Sequence, residues 1–351
     1  MKLLHSADLH LDTPFTGWSR EQTQYLRQQL LRVPEQLAQL CRREHCDLVL
    51  LSGDLFDGPW SRESLQALQN ALEDCAVPVF ISPGNHDPFQ LRSAYSSEVW
   101  PSNVHIFKQP AMESVYLGAL DCRIYGAGYR SMDCEGLLAG FRSRSDARYH
   151  IGILHGDPVH TGSPYCPITA AQIANSGLDY LALGHMHKQV GVRQGKTLCA
   201  WPGCPMGRGF DETGEKGAYI VNLEDTASVN FVALNTPSFF DLEATPQKLE
   251  QLLGASGNRS FYRITLVGNT GGETVQELYR RYHRFPNLQL RDRRSADSEL
   301  WSSVGTETPE GVYFGLLKDA LAEADEETKK TIFLAAKLSR QILDGQEVQL
   351  P

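Results

Sequence analysis

Short apolar runs, each ending abruptly in glycine, acid or histidine, set the first constraint on this 351-residue chain. Leu3-Leu4-His5-Ser6-Ala7 leads to Asp8-Leu9-His10, and Leu48-Val49-Leu50-Leu51-Ser52 to Gly53-Asp54, with Asp57 close behind. Val79-Phe80-Ile81 leads to Gly84-Asn85-His86-Asp87. Residues 151–154 lead to His155-Gly156-Asp157, and Leu181-Ala182-Leu183 to Gly184-His185-Met186-His187. Short apolar runs bounded by turn residues read as fully buried strands. Strands buried on both faces belong to parallel sheets covered by helices. Such sheets bind ligands at the carboxyl ends of their strands, where these polar groups fall.

The spacing between the runs fits that fold class. A helical stretch from about Glu21 to Arg43, interrupted by Pro34, separates the first two strands. Residues 62–74 carry Leu65, Leu68, Ala71 and Leu72 on one helical face before the third strand. Beyond residue 100 short strands around 104–107, 115–117 and 122–126 follow without long helices. Buried strands resume at 150–154 and 180–183 around a helix at 169–175, and 218–223 with 229–234 reads as a hairpin. The expectation is an α/β chain with a two-sheet α/β sandwich over residues 1–238. From Asn235 to Pro246 the texture is loop-like. A smaller α+β capping domain is expected over 239–300, with helices at 246–253 and 273–283 and strands at 261–267 and 288–291. A polar stretch, Ser295 to Glu310, leads to a C-terminal helical tail over 301–351, with Ile332, Leu334, Ala335, Leu338 and Ile342 on one face.

Composition excludes several classes. No apolar run approaches the roughly 18 residues that a bilayer span needs. The amino terminus turns polar too soon for a signal peptide, so the expected location is the cytoplasm, away from membranes. The eight cysteines form no Cys-x-x-Cys pair, which speaks against a zinc knuckle and for reduced thiols. A net charge of -9 argues against a surface coated for nucleic acid, although bound cations and a local basic stripe would offset it. The clearest stripe is Arg280, Arg281 and Arg284 followed by Arg291, Arg293 and Arg294, with Asp292 the one acid among them. It reads either as a DNA-binding surface or as a solvated helix end and strand edge.

The five polar clusters hold enough carboxylate, amide and imidazole groups for two metal ions, a common device for cleaving phosphate esters. Side chains two apart in an extended segment point the same way, so Asp8 and His10 reach one ion. Asp54 sits at a strand end, where Gly53 permits close backbone approach. Asp57 and Asp87 read as supporting residues behind the ligands. Asn85 offers a neutral amide oxygen, leaving His86 to face a substrate and protonate a departing oxygen. A lone His155 would more often be a hydrogen-bonded core residue, whereas His185 and His187 again point the same way. This donor mixture suits manganese, iron or zinc better than calcium.

In this order the clusters resemble the calcineurin-like metallophosphoesterase superfamily. Within it, Ser6-Ala7-Asp8-Leu9-His10-Leu11 and Gly53-Asp54-Leu55-Phe56-Asp57 are similar to the SbcD-type DNA-repair nucleases, as is the segment from Pro202 to Phe210. The resemblance implies one ion held by Asp8, His10 and His187 and a second by Asn85, His155 and His185, with Asp54 bridging. It implies His86 as general acid and a metal-bridging hydroxide as nucleophile, with manganese the first choice. It further implies DNA exonuclease or endonuclease action in repair, with the small second domain holding DNA. An SMC-like ATPase would pair through the C-terminal helices, which read equally as a tail folded on the core, and a homodimer is compatible. The competing expectations are a phosphodiesterase for a smaller, nucleotide-like substrate and a largely regulatory subunit of the ATPase complex. One departure is Asp12-Thr13-Pro14-Phe15, where many such nucleases carry glycine after the first motif.

Overall fold

The computed structural model describes residues 1–158, 162–256, 259–268, 273–294 and 300–345. Residues 295–299 of the polar stretch and 346–351 of the tail lie outside the described residues. The chain divides into two compact units, Met1–Phe240 with Arg259–Phe261, and Asp241–Asn258 with Tyr262–Pro351.

The first unit is built on two six-stranded sheets, as an α/β sandwich requires. In the first sheet β1 (Lys2–Ser6), β2 (Leu48–Leu51), β3 (Val79–Ile81) and β4 (Val104–Ile106) run parallel in that order. The antiparallel hairpin of β11 (Gly217–Leu223) and β12 (Ala227–Ala233) extends it beyond β1. The second sheet places β6 (Cys122–Gly126), β7 (Tyr149–His155), β8 (Tyr180–Gly184) and β10 (Thr197–Trp201) parallel. Antiparallel edges, β5 (Glu113–Leu117) and β9 (Val190–Gln194), close its two sides.

Alternation along each strand divides the core into layers. Leu3, Leu48, Leu50 and Phe80 face Ile124, Ile151, Ile153 and Tyr180 between the sheets. The opposite faces, with Leu4, Val49, Leu51 and Val79, pack under helices α1 (Arg20–Leu31), α2 (Val33–Arg43) and α3 (Arg62–Asp74). A capping box starts α1, Ser19 and Gln22 exchanging hydrogen bonds between side chain and backbone. Pro34 lies in the first turn of α2, where its missing N–H is harmless, and the helical stretch expected to be interrupted there is two helices. On the second sheet Leu154, Leu181 and Leu183 pack with Ile173 of α5 (Ala170–Asn175), while α4 (Ala94–Ser97) is a single turn after β3.

The loop expected from Asn235 to Pro246 contains a strand, β13 (Phe239–Ala244). The flanking prolines hid its alternation, in which the end residues Phe239 and Ala244 are buried. It forms a three-stranded sheet with β14 (Phe261–Leu266) and β15 (Leu288–Asp292), the last two parallel. Helices α6 (Leu249–Ser256) and α7 (Val275–Arg281) connect them. Farther along, α8 (Pro309–Glu323) and α9 (Glu326–Leu343) pair around Leu300, Phe314 and Ala336. Among the described residues no helix is long and apolar enough to cross a membrane.

A fully buried polar contact crosses the seam between the two sheets at His5. His5 on β1 is fully buried, its Nδ1 2.7 Å from the Tyr180 hydroxyl of β8 and its Nε2 2.7 Å from Ser52 Oγ. Burial pushes the ring down to about 3, so it is neutral in the fold. In the unfolded chain it takes up a proton near pH 6.5, so its stabilisation is complete above that pH and is lost as pH falls toward 3. His5→Asn is expected to flatten the decline in melting temperature between pH 6.5 and 4, measured by circular dichroism. A decline as steep as in the parent protein would remove His5 from that role.

Candidate metal centre

The candidate ligand residues sit where the parallel strands stop, and their backbone is not ordinary. Asp8, His10, Asp54 and His185 have φ of 53°, 47°, 53° and 96°. Left-handed backbone at a non-glycine residue costs about 1–3 kcal/mol each and persists only when its surroundings enforce it. Here backbone bonds do so: Asp8 N donates to Gly53 O at 3.0 Å, His10 N to Asp54 O at 2.9 Å and Leu11 N to Leu55 O at 2.9 Å. The loops after β1 and β2 are thereby zipped together, carrying Asp8 and Asp54 to one place.

Glycine makes this close approach possible. A Cβ on Gly84 would stand 2.2 Å from Asp54 Oδ1, and one on Gly184 would stand 1.9 Å from Ser52 O. Asp87, nearly buried, then anchors the assembly. Its carboxylate accepts from the backbone N–H of Asp54, Leu55, Phe56 and Gly84 at 2.6–3.2 Å and from the Tyr95 hydroxyl at 2.5 Å.

Three sets of possible ligands converge, each with atoms within 4.8 Å of one another: Asp8, His10 and His187; His10, Asp54 and His86; and Asp8, Asp54 and His155. His10 Nε2 and His187 Nε2 face each other at 3.2 Å. Nitrogens each roughly 2.0–2.1 Å from one ion would show a separation of about that size. His155 Nε2 lies 2.9 Å from Asn85 Oδ1 and 3.3 Å from Asp54 Oδ2. Its Nδ1 lies 2.9 Å from Ser52 O, which fixes the proton on Nδ1 and leaves Nε2 for the cluster. Burial alone would push this ring down, but the Asp54 charge, with Asp8 behind it, pushes it up to about 10. A site that binds a proton so tightly is one that wants positive charge. Asp54 answers in kind: burial would raise its carboxyl, yet the facing His155, His10 and His86 hold it well below the ordinary range. The residues fit a pair of divalent cations.

His185 enters differently. Its backbone N–H donates to both oxygens of Asp8, at 3.0 and 3.2 Å, and its ring lies against His155 and Tyr165 at centroid distances of 5.3 Å. His86 is the exposed member, with 44% of its side chain accessible. Its Nδ1 is 2.9 Å from Asp57 Oδ1, and its backbone N–H donates to Asp54 Oδ1 at 2.9 Å. The Asp57 hydrogen bond raises the proton affinity of this ring. The His10 and His86 rings in turn hold Asp57 far below the usual carboxylate range. Thr13 Oγ1 donates to Asp57 Oδ2 at 3.1 Å, and Asp12 accepts from Ser61 N and Ser64 Oγ at 3.0 and 2.8 Å. The unusual Asp12-Thr13 pair thus braces the site.

Sequence reasoning missed Glu212. Its Oε1 is 2.7 Å from His187 Nδ1, and it accepts from Arg208 Nη2 at 2.6 Å and from the Arg208 backbone N–H at 2.9 Å. Burial would raise the Glu212 carboxyl, but His187 and Arg208 hold it well below its usual value. The available signal was the opposite-charge i,i+4 spacing of Arg208 and Glu212.

The arginine stripe is partly paired with acids. Arg281 pairs with Glu273 at 2.6 Å, Arg284 with Glu250 at 2.5 Å and Arg294 with Asp292 at 2.8 Å, so acids outside the stripe neutralise two of its members. Arg280, Arg291 and Arg293 are exposed and make no ion pair among the described residues.

The profile of the calcineurin-like phosphoesterases matches residues 1–189. The chain belongs to this family. Its members are hydrolases of phosphoester bonds with a dinuclear divalent metal centre. Among its relatives, an uncharacterized metallophosphoesterase, YhaO, of Bacillus subtilis (strain 168) is 35% identical over 64% of this chain and 57% of its own length. The SbcD component of the nuclease SbcCD of the same organism is 26% identical over 64% of this chain and 66% of that protein. The DNA double-strand break repair protein Mre11 of Sulfolobus acidocaldarius is 26% identical over 72% and 68%. The match therefore spans just over half of YhaO and about two thirds of the other two.

An outer carboxylate that orients a ligating histidine typically contributes 10–100-fold to metal affinity. Glu212→Gln is expected to weaken binding of one of two manganese ions by roughly that factor in isothermal titration, leaving the other unchanged. Two unaltered affinities would show that Glu212 does not act through His187.

Proposed function

We propose that this protein is a two-metal phosphodiesterase acting on DNA in repair. One ion would be held by Asp8, His10 and His187 and a second by Asn85, His155 and His185, with Asp54 shared. Manganese is the first choice, with iron or zinc as alternatives. Bound there, the ions supply an activated water and neutralise charge on the phosphoryl group.

The observation that carries the reading is the His86–Asp57 pair beside the ligand cluster. Asp57 orients the imidazole through Nδ1 and favours its charged form, leaving Nε2 to give a proton to the oxygen departing from phosphorus. The buried Asp54 oxygen on the His86 backbone fixes where that ring starts. A uniformly neutral cleft would bind a phosphate without assisting its cleavage. This one has a donor positioned beside it.

DNA is favoured over a smaller ester by the likeness to proteins named for nuclease and break-repair roles. The exposed Arg280, Arg291 and Arg293 give the second unit cations free to meet phosphates. An SMC-like ATPase is the proposed partner, on α8 and α9, where Val312, Leu316 and Ile342 are exposed. The net charge of -9 favours the second reading, a nucleotide-like substrate.

The test is cleavage of single- and double-stranded DNA beside bis-p-nitrophenyl phosphate, with manganese and with chelator. Manganese-dependent loss of DNA is expected. Hydrolysis of the small ester alone would turn the assignment to the second reading. His86→Ala should keep both manganese ions and lose cleavage by about 10²–10⁴-fold. Cleavage at the parent rate would end its role as acid.

Replacing Arg280, Arg291 and Arg293 together by alanine should weaken DNA binding and flatten its salt dependence, by about one slope unit per lost phosphate contact. Identical salt titrations for variant and parent would return these arginines to a solvated surface.

A further inference from the structure

A cavity of about 380 Å³ lies directly beside His86, between the loop after β2 and the loop after β3. Its size is within the roughly 300–1,000 Å³ of small-ligand pockets. Phe56 and Tyr95, both buried, line it, and the Tyr95 hydroxyl is committed to Asp87, so what this residue can offer is its ring. Trp60 forms another part of the lining, half-buried, its indole N–H donating to Arg92 O at 3.4 Å across the two loops. Leu91, also in the lining, is an apolar side chain left 91% exposed. Arg92, in left-handed backbone at φ 71°, is exposed and makes no ion pair among the described residues. An apolar slot with one free guanidinium among its lining residues suits a flat aromatic ring that carries an anion.

Its position fixes which part of a substrate reaches it. In the proposed reaction His86 faces the departing oxygen, and it is also part of the cavity lining, so the cavity lies on the leaving-group side of the scissile bond. We propose that it seats the nucleobase of the departing nucleoside, stacked on Trp60 and covered by Leu91, with Arg92 on the phosphate beyond. This assignment rests on the phosphodiesterase reading above and adds to it a preference for substrates that carry a base at that one position. Stacking on an aromatic side chain tolerates any base, so the slot recognises the presence of a base and not its identity.

The test compares thymidylyl-thymidine with its two analogues in which one nucleoside or the other is abasic. One analogue is expected to be cleaved roughly 5- to 100-fold less efficiently in kcat/KM than the parent dinucleotide. Trp60→Ala should reduce that gap toward unity, whereas Trp60→Phe, which keeps an aromatic face, should preserve most of it. Both analogues cleaved as fast as the parent, or a gap indifferent to Trp60→Ala, would overturn the assignment. If no dinucleotide is cleaved, the deciding measurement is saturation-transfer NMR of thymidine and of deoxyribose in the presence of chelator. Contact with thymidine alone, lost in Trp60→Ala, would keep the base site while removing the phosphodiesterase reading. Equal signals from the two would sink the base site itself.

Discussion

The carboxylate of Asp87 holds the centre together. It is one side chain with five donors, and four of them are backbone N–H groups from two different loops. Buried N–H groups left without partners cost about 1–3 kcal/mol each, so the loops after β2 and β3 are held together by the one side chain that satisfies four of them. Asp54 inherits its position from that closure, and the rings of His86 and His155 take theirs partly from Asp54. A residue that is neither a proposed ligand nor the proposed acid therefore sets the spacing of those that are.

Much of the architecture was legible because parallel strands are buried on both faces and announce themselves as uninterrupted apolar runs. Leu48–Leu51, Val79–Ile81 and Tyr180–Gly184 needed only their composition and their glycine or acid terminators. β13 was not legible, since Pro237 and Pro246 bracket it and its exposed face carries Asp241 and Glu243. The hairpin of β9 and β10 drew no reading from the sequence: its turn carries the polar Arg193, Gln194, Gly195 and Lys196, although Thr197–Trp201 is wholly buried.

The site divides in the same way. Residues at strand ends, Asp8, Asp54, His155 and His185, follow from where the apolar runs stop. Their mutual geometry does not, since it depends on left-handed backbone and on glycines that admit contacts closer than any Cβ allows. Glu212 had only its spacing from Arg208 to mark it, for another reason: it comes from a segment without regular structure and reaches His187 only after the chain has folded back. In the arginine stripe, adjacency in sequence says nothing of the acids that the fold brings alongside, Glu273 on Arg281 and Glu250 on Arg284.

The His5 contact across the seam has a consequence for how the centre is assembled. Ser52 meets His5 through its hydroxyl and His155 through its carbonyl, so one residue is shared by the join between the sheets and by the second ligand set. Asp8, Asp54 and Asn85 come from the first sheet, and His155, His185 and His187 from the second. In the proposed assignment each of the two ligand sets draws on both sheets. The cluster is thus a clasp fastened across two halves, absent until they have docked, and cations seated in it would act as cross-links that make the halves slow to part.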